Sequence, residues 1–394
     1  MKPTTRRALR RASRFRKFAT RLLGQSLAII SVVCIVSAEA AQAVVSDPTQ
    51  STYYSWMPEH GSSEFRLRET VPHELNGFGI TLNAGAGLQA NPAALAAFQR
   101  AVDAWEAVIA DPITITIDAD LASLPAGVLG QASSVTLQAG YDLIRNQMVL
   151  DAADEADDLI TAFLPTSANA LFELPLGFGL SGDVSATKAN LKALGFAGLD
   201  NVFGATDAMI TFSTNFNFDF DNSDGVVGFD FETVAAHEIG HALGFISEVD
   251  LVDAALDAGT TVSDLAPSTV DLFRFDSSGA NDPSNPAEFT TLPRSLVPGS
   301  DDSFDQITSL FGGDAEIRLS TGRTQGDGEQ ASHFKDFLGL GLFDPTLPPG
   351  VVVPIGPNDL RTLDLIGYEI TQVPEPTTAL LLAVGVCGLL TRRI

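Results

Sequence analysis

The chain has 394 residues, with 23 Lys and Arg against 49 Asp and Glu. The imbalance is greatest between residues 44 and 373, which hold 12 basic and 47 acidic side chains. Nucleic acid and anionic membrane surfaces would repel such a charge, so both are excluded as partners. The same central part contains neither cysteine, so a hydrophobic core and bound ions must stabilise it without disulfides.

The N-terminal residues 1–43 have the order of a secretory signal peptide. A basic region precedes an apolar run from Leu27 to Ala38, and small residues allow cleavage after Ala40 or Ala43. The run is shorter than the roughly 20 residues that a membrane-spanning helix needs, which argues against an anchor. We therefore expect this segment to be removed and the protein to be exported.

The C-terminal residues 373–394 carry a second recognisable pattern. Val373-Pro374-Glu375-Pro376 precedes an apolar run, which two arginines follow. Together they resemble the PEP-CTERM sorting signal of Gram-negative bacteria. The resemblance implies an envelope-processing transpeptidase as a partner and a location in the cell envelope or extracellular matrix. It implies contact with the membrane only through the termini, and only transiently.

Helical and extended patterns alternate along the central part. Apolar residues spaced by three and four predict a helix, whereas strict alternation predicts a half-buried strand. The predicted elements up to residue 213 are a helix from Pro92 to Ile109, a strand at Ile113–Ile117, helices at Ala152–Phe163 and Ala186–Leu194, and a strand at Ala208–Ser213.

The second half begins with Phe216, Phe218 and Phe220, which continue the alternation of the last strand. Asn222-Ser223-Asp224-Gly225 then predicts the turn of a strand pair. Beyond Asp250 the chain is rich in Ser, Asp, Gly and Pro and predicts a loop-rich lobe that ends in a helix from Asn358 to Gly367.

This order of elements predicts an α+β fold. We divide the chain into a signal peptide at 1–43, an N-terminal sheet-and-helix lobe at 44–246, a C-terminal lobe at 247–372 and the sorting signal at 373–394. The N-terminal lobe includes the helix that carries the candidate site.

The candidate site is His237-Glu238-Ile239-Gly240-His241. Two histidines four residues apart lie on one face of a helix and are close enough to share one metal ion. Glu238 sits beside that face, where its carboxylate can take a proton from water held by the ion. The motif therefore predicts a Zn²⁺ site with His237 and His241 as ligands and Glu238 as the catalytic base.

Two details of this helix need an explanation. Two core histidines on an apolar helix would leave the Glu238 carboxylate buried without a partner, which is costly, so a metal site is the better interpretation. Gly240 costs about 1 kcal/mol relative to Ala inside a helix. We expect it to allow close packing, most simply against a neighbouring strand.

A hydrolytic zinc ion needs a third protein ligand. The pattern His-Glu-x-x-His-x-x-Gly resembles the metzincin metalloproteases, in which a third histidine follows the second by six residues; that position is Ser247. Serine is a poor zinc ligand, so another residue must serve. The candidates are Glu248, Asp250, His60, His73 and His333.

His333 is favoured by a second resemblance. His241-Ala242-Leu243-Gly244-Phe245 resembles the leishmanolysin branch of the metzincins, in which a long insertion separates the glycine from the third histidine. Ser332-His333-Phe334 matches the context of that histidine, so the resemblance implies a metal ligand at His333. Phe343 stands where that branch has the methionine of its turn beneath the metal, and we expect it to form an apolar floor.

Asp219, Asp221 and Asp224 also invite a calcium interpretation. Their spacing is one residue too long for an EF-hand loop, and a polar turn accounts for the same residue types. Ca²⁺ therefore stays a secondary possibility beside Zn²⁺.

The motif and the resemblance predict an exported zinc metalloendopeptidase, a hydrolase that cleaves protein or peptide substrates. The alternative is a non-catalytic envelope or matrix protein that keeps a metalloprotease fold for binding, which Ser247, Phe343 and the sorting tail would suit.

Overall fold

A computed structural model describes residues 52–54, 77–154, 158–305 and 316–371. Both predicted terminal signals, His60 and His73 lie outside these ranges. None of the helices within them is long and apolar enough to cross a membrane. The architecture is α+β, with open sheets and packed helices, as the sequence predicts.

The strands in the described ranges are β1 (Thr52–Tyr54), β2 (Gly79–Ala84), β3 (Thr114–Ala122), β4 (Gly130–Gly140), β5 (Phe172–Glu173), β6 (Asp183–Thr187), β7 (Ala208–Ser213), β8 (Phe218–Asp219), β9 (Phe229–Asp230), β10 (Arg274–Asp276), β11 (Arg294–Ser295), β12 (Asp302–Asp305) and β13 (Glu316–Arg318). The helices are α1 (Ala86–Gln89), α2 (Pro92–Glu106), α3 (Tyr141–Asp151), α4 (Lys188–Ala193), α5 (Leu199–Phe203), α6 (Phe231–Leu243), α7 (Val249–Asp257), α8 (Pro286–Thr291) and α9 (Pro357–Leu365).

The main sheet has the strand order β1-β4-β7-β3-β2, and β6 also pairs with β4. β2, β3 and β7 are mutually parallel, whereas β4 runs antiparallel to β7. Side chains alternate along β3, so Ile115, Ile117 and Ala119 are buried on one face. This buried face forms part of the core that supports the candidate site.

Helix α2 holds α6 in place. Asn91 caps α2 by accepting a hydrogen bond from the N–H of Ala94, and Pro92 occupies the first helical position. Phe98, Val102 and Trp105 of the predicted apolar face are buried and Leu95 is partly buried, but the helix ends at Glu106, before Ile109. Trp105 is fully buried and its Nε1 donates to the backbone oxygen of Ala236 in α6 at 2.9 Å.

Two predicted helices are placed differently in the structure. The helix predicted over Ala152–Phe163 is wrong for the residues that the structure describes there: α3 ends at Asp151, and Ala152–Asp154 and Leu159–Phe163 form short 3₁₀ turns. Within Ala186–Leu194 the first residues complete β6, and the helix begins only at Lys188. Both segments are rich in Ala, and helix propensity is a weak preference that strand pairing and packing override.

The predicted strand pair around residues 222–225 is also wrong. β8 and β9 pair in parallel, with Phe218 opposite Phe229, so they are not the two arms of a hairpin. Asn222–Asp224 forms a 3₁₀ turn between them. The turn residues were recognised correctly, but they reverse the chain within a longer connection rather than joining adjacent antiparallel strands.

The loop-rich lobe predicted beyond Asp250 begins later, because α7 continues to Asp257. The chain after α7 is loop-rich and includes a small antiparallel sheet in the order β10-β12-β13. Helix α9 has Gly356 as its N-cap, so Asn358 lies in its first turn rather than at its cap. One hydrophobic cluster joins residues on both sides of position 246; the rings of Phe245 and Phe334 lie 5.1 Å apart between centroids. The domain boundary itself stays a prediction.

Candidate metal centre

Helix α6 carries the motif and has clear signals at both ends. Asp230 caps its start by accepting the N–H of Thr233 at 2.9 Å. Gly244 ends it with a φ of 133°, a conformation that L side chains rarely adopt. The two motif histidines therefore lie one turn apart on the same face.

The structure brings a third histidine to this pair. Nε2 of His237 lies 3.0 Å from Nε2 of His241 and 3.2 Å from Nε2 of His333. The distance between Nε2 of His241 and Nε2 of His333 is 3.2 Å. The third residue comes from a loop 92 positions beyond the helix, and the three side chains form a group that can hold a metal ion.

The other ring nitrogen of each histidine, Nδ1, meets a backbone carbonyl oxygen. The pairs are His237 with Leu342 at 2.6 Å, His241 with Phe245 at 2.7 Å, and His333 with Gln330 at 3.2 Å. A carbonyl oxygen only accepts, so Nδ1 carries the proton in each ring and Nε2 presents a lone pair. Three lone pairs then converge with no proton between them, an arrangement that a cation stabilises.

Burial keeps these imidazoles neutral. It lowers the pKa of His237, lowers that of His241 to about 3 with a contribution from His237, and lowers that of His333 well below its usual value. Neutral imidazole is the form that binds metal ions. The group therefore has the protonation state as well as the positions of a metal ligand set.

The triangle of Nε2 atoms has the size of a tetrahedral face. Nitrogen ligands about 2.0–2.1 Å from a tetrahedral zinc ion lie about 3.3 Å from one another. The observed separations of 3.0–3.2 Å are close to this value. Three nitrogen ligands leave a fourth position for water or substrate.

The side chain of Glu238 extends from α6 toward the first residues of β4. It is buried, and its carboxylate accepts a hydrogen bond from the N–H of Ala132. Burial raises the pKa of Glu238 to about 8, and the Ala132 hydrogen bond lowers it in part. A nearby cation would favour the charged form and lower this pKa further.

The three histidines and Glu238 line one cavity of about 350 Å³. Its lining includes residues 127–132, which lead into and begin β4, and also Arg323 and Glu329. In the described ranges β4 pairs through residues 130–134 with β7 alone, because β1 and β6 join it only from Val135 onward. The cavity therefore has an extended backbone segment beside the histidines.

The other described candidates for the third ligand do not join the group. Glu248 occupies the N-cap position of α7 and its backbone N–H donates to Asp271 at 2.9 Å, and the carboxylate of Asp250 accepts the N–H groups of Ala331 and Ser332. Ser247 donates its hydroxyl to Asp271 at 2.6 Å. Glu248 and Asp250 therefore form hydrogen bonds within the fold instead of joining the histidines. Ser247 is part of a buried hydrogen-bond network.

Phe343 forms the expected apolar floor. It is fully buried, stacks on Phe245 with ring centroids 4.0 Å apart, and lies 6.0 Å from the ring centroid of His241. Asp359 in α9 accepts the backbone N–H groups of Leu342 and Phe343. Neither Asp359 nor Ala132 could be predicted as part of the site, because both interact through backbone N–H groups, which have no residue signature.

Two of the aspartates considered as calcium ligands, Asp219 and Asp221, form hydrogen bonds within the turn. Asp219 accepts the N–H groups of Asp221 and Val227, and Asp221 accepts the N–H and hydroxyl of Ser223. These hydrogen bonds lower the pKa of both carboxyls. In the described part of the chain, the histidine group is the one cluster of three or more ligand-type side chains with metal-binding geometry.

Comparison with protein-family models, curated proteins and solved structures finds no match to this chain.

Proposed function

We propose that the chain is a zinc-dependent metalloendopeptidase, with His237, His241 and His333 as ligands and Glu238 as the catalytic base. The observation that carries this proposal is the convergence of three unprotonated Nε2 atoms beside a buried carboxylate in one cavity. Three imidazoles favour zinc over calcium or magnesium, which prefer oxygen ligands. A non-redox ion with an open position suits hydrolysis.

The residues divide the chemistry among them. Zinc in such a site polarises a carbonyl group and makes water a stronger nucleophile. Glu238 takes up the proton that the attacking water gives up and passes it to the leaving amine. Burial raises the pKa of Glu238 to about 8, and a neighbouring cation would lower it and favour the carboxylate form, which can accept a proton.

A peptide is the substrate that the cavity wall suits. Residues 130–132 of β4 pair with β7 on one side, and an extended peptide can add to the other side through backbone groups other than the N–H of Ala132, which donates to Glu238. The metzincin-like fold predicted from the sequence belongs to the same proposal. The helix that carries two ligands, the distant third histidine and the aromatic floor at Phe343 support it.

Export and sorting complete the proposal. The signal peptide at 1–43 and the PEP-CTERM-like tail at 373–394 would take the enzyme to the cell envelope or extracellular matrix, where an envelope transpeptidase would act on the tail. Mass spectrometry of the mature protein tests both cuts. A mature chain that keeps residue 1 would contradict this part of the proposal and leave the zinc site untouched.

The test of the enzyme is zinc analysis combined with cleavage of unfolded casein. Glu238→Gln should abolish cleavage and leave zinc bound, because the carboxylate is not a ligand. Glu232→Gln is a matched control in the same helix, where Glu232 pairs with Arg100 at 2.7 Å away from the cavity; it should keep full activity. Undiminished cleavage by the Glu238 variant would refute the mechanism. Zinc without any turnover in the wild type would favour the binding-protein alternative.

A further inference from the structure

The loop that carries His333 has little regular structure of its own. Between the end of β13 at Arg318 and the start of α9 at Pro357, every residue is described and none belongs to a helix or a longer strand. A single antiparallel bridge joins Leu319 to Phe334. Backbone hydrogen bonds hold His333 and the residue after it: the N–H of Ser320 donates to the His333 oxygen at 3.0 Å, and the N–H of Phe334 donates to the Phe343 oxygen at 2.9 Å. The residues before His333 need a support of their own to keep the ring within 3.2 Å of the two histidines of α6.

Asp250 in the first turn of α7 provides such a hold. Its Oδ1 accepts the N–H of Ala331 at 2.6 Å, and its Oδ2 accepts the N–H of Ser332 at 3.0 Å and also the Ser332 hydroxyl. The Ser332 oxygen in turn accepts the N–H of Ser247 at 2.8 Å. The two residues directly before His333 are thus tied to the chain that follows α6.

Asp253, one turn further along α7, holds an earlier part of the same loop. Its oxygens accept the N–H groups of Thr324 at 2.9 Å and Gln325 at 2.6 Å. Residues three apart lie on one helix face, so Asp250 and Asp253 present two carboxylates to the loop. Of the two, only Asp250 grips the residues next to the third histidine.

The hydrogen bonds of Asp250 matter for the metal centre because α7 follows α6 closely in the chain. Helix α6 ends at Leu243 and α7 begins at Val249, so a carboxylate on α7 has a short connection to the helix that carries His237 and His241. Through the chain itself, His333 is 92 residues away from His241. The hydrogen bonds of Asp250 therefore connect His333 to the two histidines of α6 through far fewer residues than the covalent chain does.

We propose that Asp250 is a positioning residue of the metal centre, which fixes the loop before His333 so that the third ligand is in place before the ion binds. The inference rests on the proposed metal centre and adds to it a residue that does not touch the ion. Without Asp250, binding would have to order the loop, and that conformational entropy would reduce metal affinity.

The experiment compares Co²⁺ binding by wild-type protein, Asp250→Asn and Asp253→Asn, because Co²⁺ absorbs in the visible range and reports ligand geometry. The Asn side chain at 250 would turn an NH₂ donor toward backbone N–H groups. The Asp250→Asn variant should therefore bind Co²⁺ roughly 10–100-fold more weakly than wild type, with altered absorption bands. Asp253→Asn removes the same charge and a similar pair of hydrogen bonds, and should bind Co²⁺ with near wild-type affinity and spectrum.

Urea unfolding of the metal-free proteins separates positioning from general damage, since both variants should lose similar stability. If Asp250→Asn does not fold, Ser332→Ala replaces it: this variant removes the hydroxyl that links Asp250 to Ser247 and should also lower Co²⁺ affinity. Equal Co²⁺ affinity in wild type and the Asp250 or Ser332 variant would overturn the inference, as would an equal loss in Asp253→Asn. A wild-type protein that binds neither Co²⁺ nor Zn²⁺ would remove the metal centre itself, and this inference with it.

Discussion

A Cβ atom built on Gly240 would lie 2.1 Å from Cε1 of Phe343. The glycine in the middle of α6 therefore exists because an aromatic ring presses against the helix backbone between the two motif histidines. The predicted close packing is correct, but the neighbour is the side chain of Phe343 and not a strand. This contact sets the distance between the helix and the floor of the site.

Substitution of Gly240 by Ala should destabilise the protein although it improves helix propensity. The gain in propensity is about 1 kcal/mol, whereas forcing a methyl group into a packed core typically costs about 1–3 kcal/mol. Urea unfolding measures the difference. In a Phe343→Leu background the same substitution should cost less, because the ring edge that it meets is gone. A Gly240→Ala protein as stable as wild type would show that the ring has room to move.

Substitution of His333 by Ala should abolish zinc binding and peptide cleavage, because two histidines alone hold a hydrolytic zinc ion poorly. Zinc content after dialysis and casein cleavage are the measurements. His60→Ala and His73→Ala are the controls, since both histidines were candidates from the sequence. Loss of zinc in either control with full retention in His333→Ala would reassign the third ligand.

Stability should fall as the pH rises from about 4 to about 8, because of Asp151. Burial raises the pKa of Asp151 to about 8, and Glu369 and Asp158 add to the shift. The unfolded chain, with a pKa near 3.8, has already released this proton, so the folded state binds more protons in that window. For each pH unit in this window the free energy of unfolding should fall by at most about 1.4 kcal/mol.

Asp151→Asn should remove this dependence: the variant should exceed wild type in stability at pH 8 and match it near pH 4. The exposed Asp103 offers a control, because Asp103→Asn changes the charge equally at the surface. Thermal unfolding across the pH range is the measurement. Parallel stability curves for wild type and Asp151→Asn would contradict the predicted shift.

Cleavage of cationic peptides should be faster than cleavage of acidic ones, and the difference should shrink in high salt. Residues 44–373 carry 12 basic and 47 acidic side chains, and their field steers cations toward the protein. Salt screens that field. Values of kcat/KM for two peptides with the same cleavage site and opposite flanking charges, measured at low and high salt, test this. Rates that are independent of salt would show that steering is negligible.

The local features of the site could be predicted from neighbouring residues alone. The spacing of His237 and His241, the glycine that ends α6 and the apolar spacing of α2 all depend on helix geometry over a few residues. Such patterns are read directly, because each turn of a helix fixes its own side-chain directions. The resemblance pointed to His333 as a ligand, but the residues alone left five candidates for the third position.

Contacts between residues far apart in the chain became visible in the folded structure alone. It brought His333 to the helix, gave Asp250 a hydrogen-bonding role in place of a ligand role, and set Phe343 against Gly240. It also paired β8 with β9 in parallel, where the turn residues had predicted a hairpin. These contacts depend on how loops without periodic patterns pack. They join backbone groups and side chains that are far apart in the chain, and no local spacing of residues encodes such pairs.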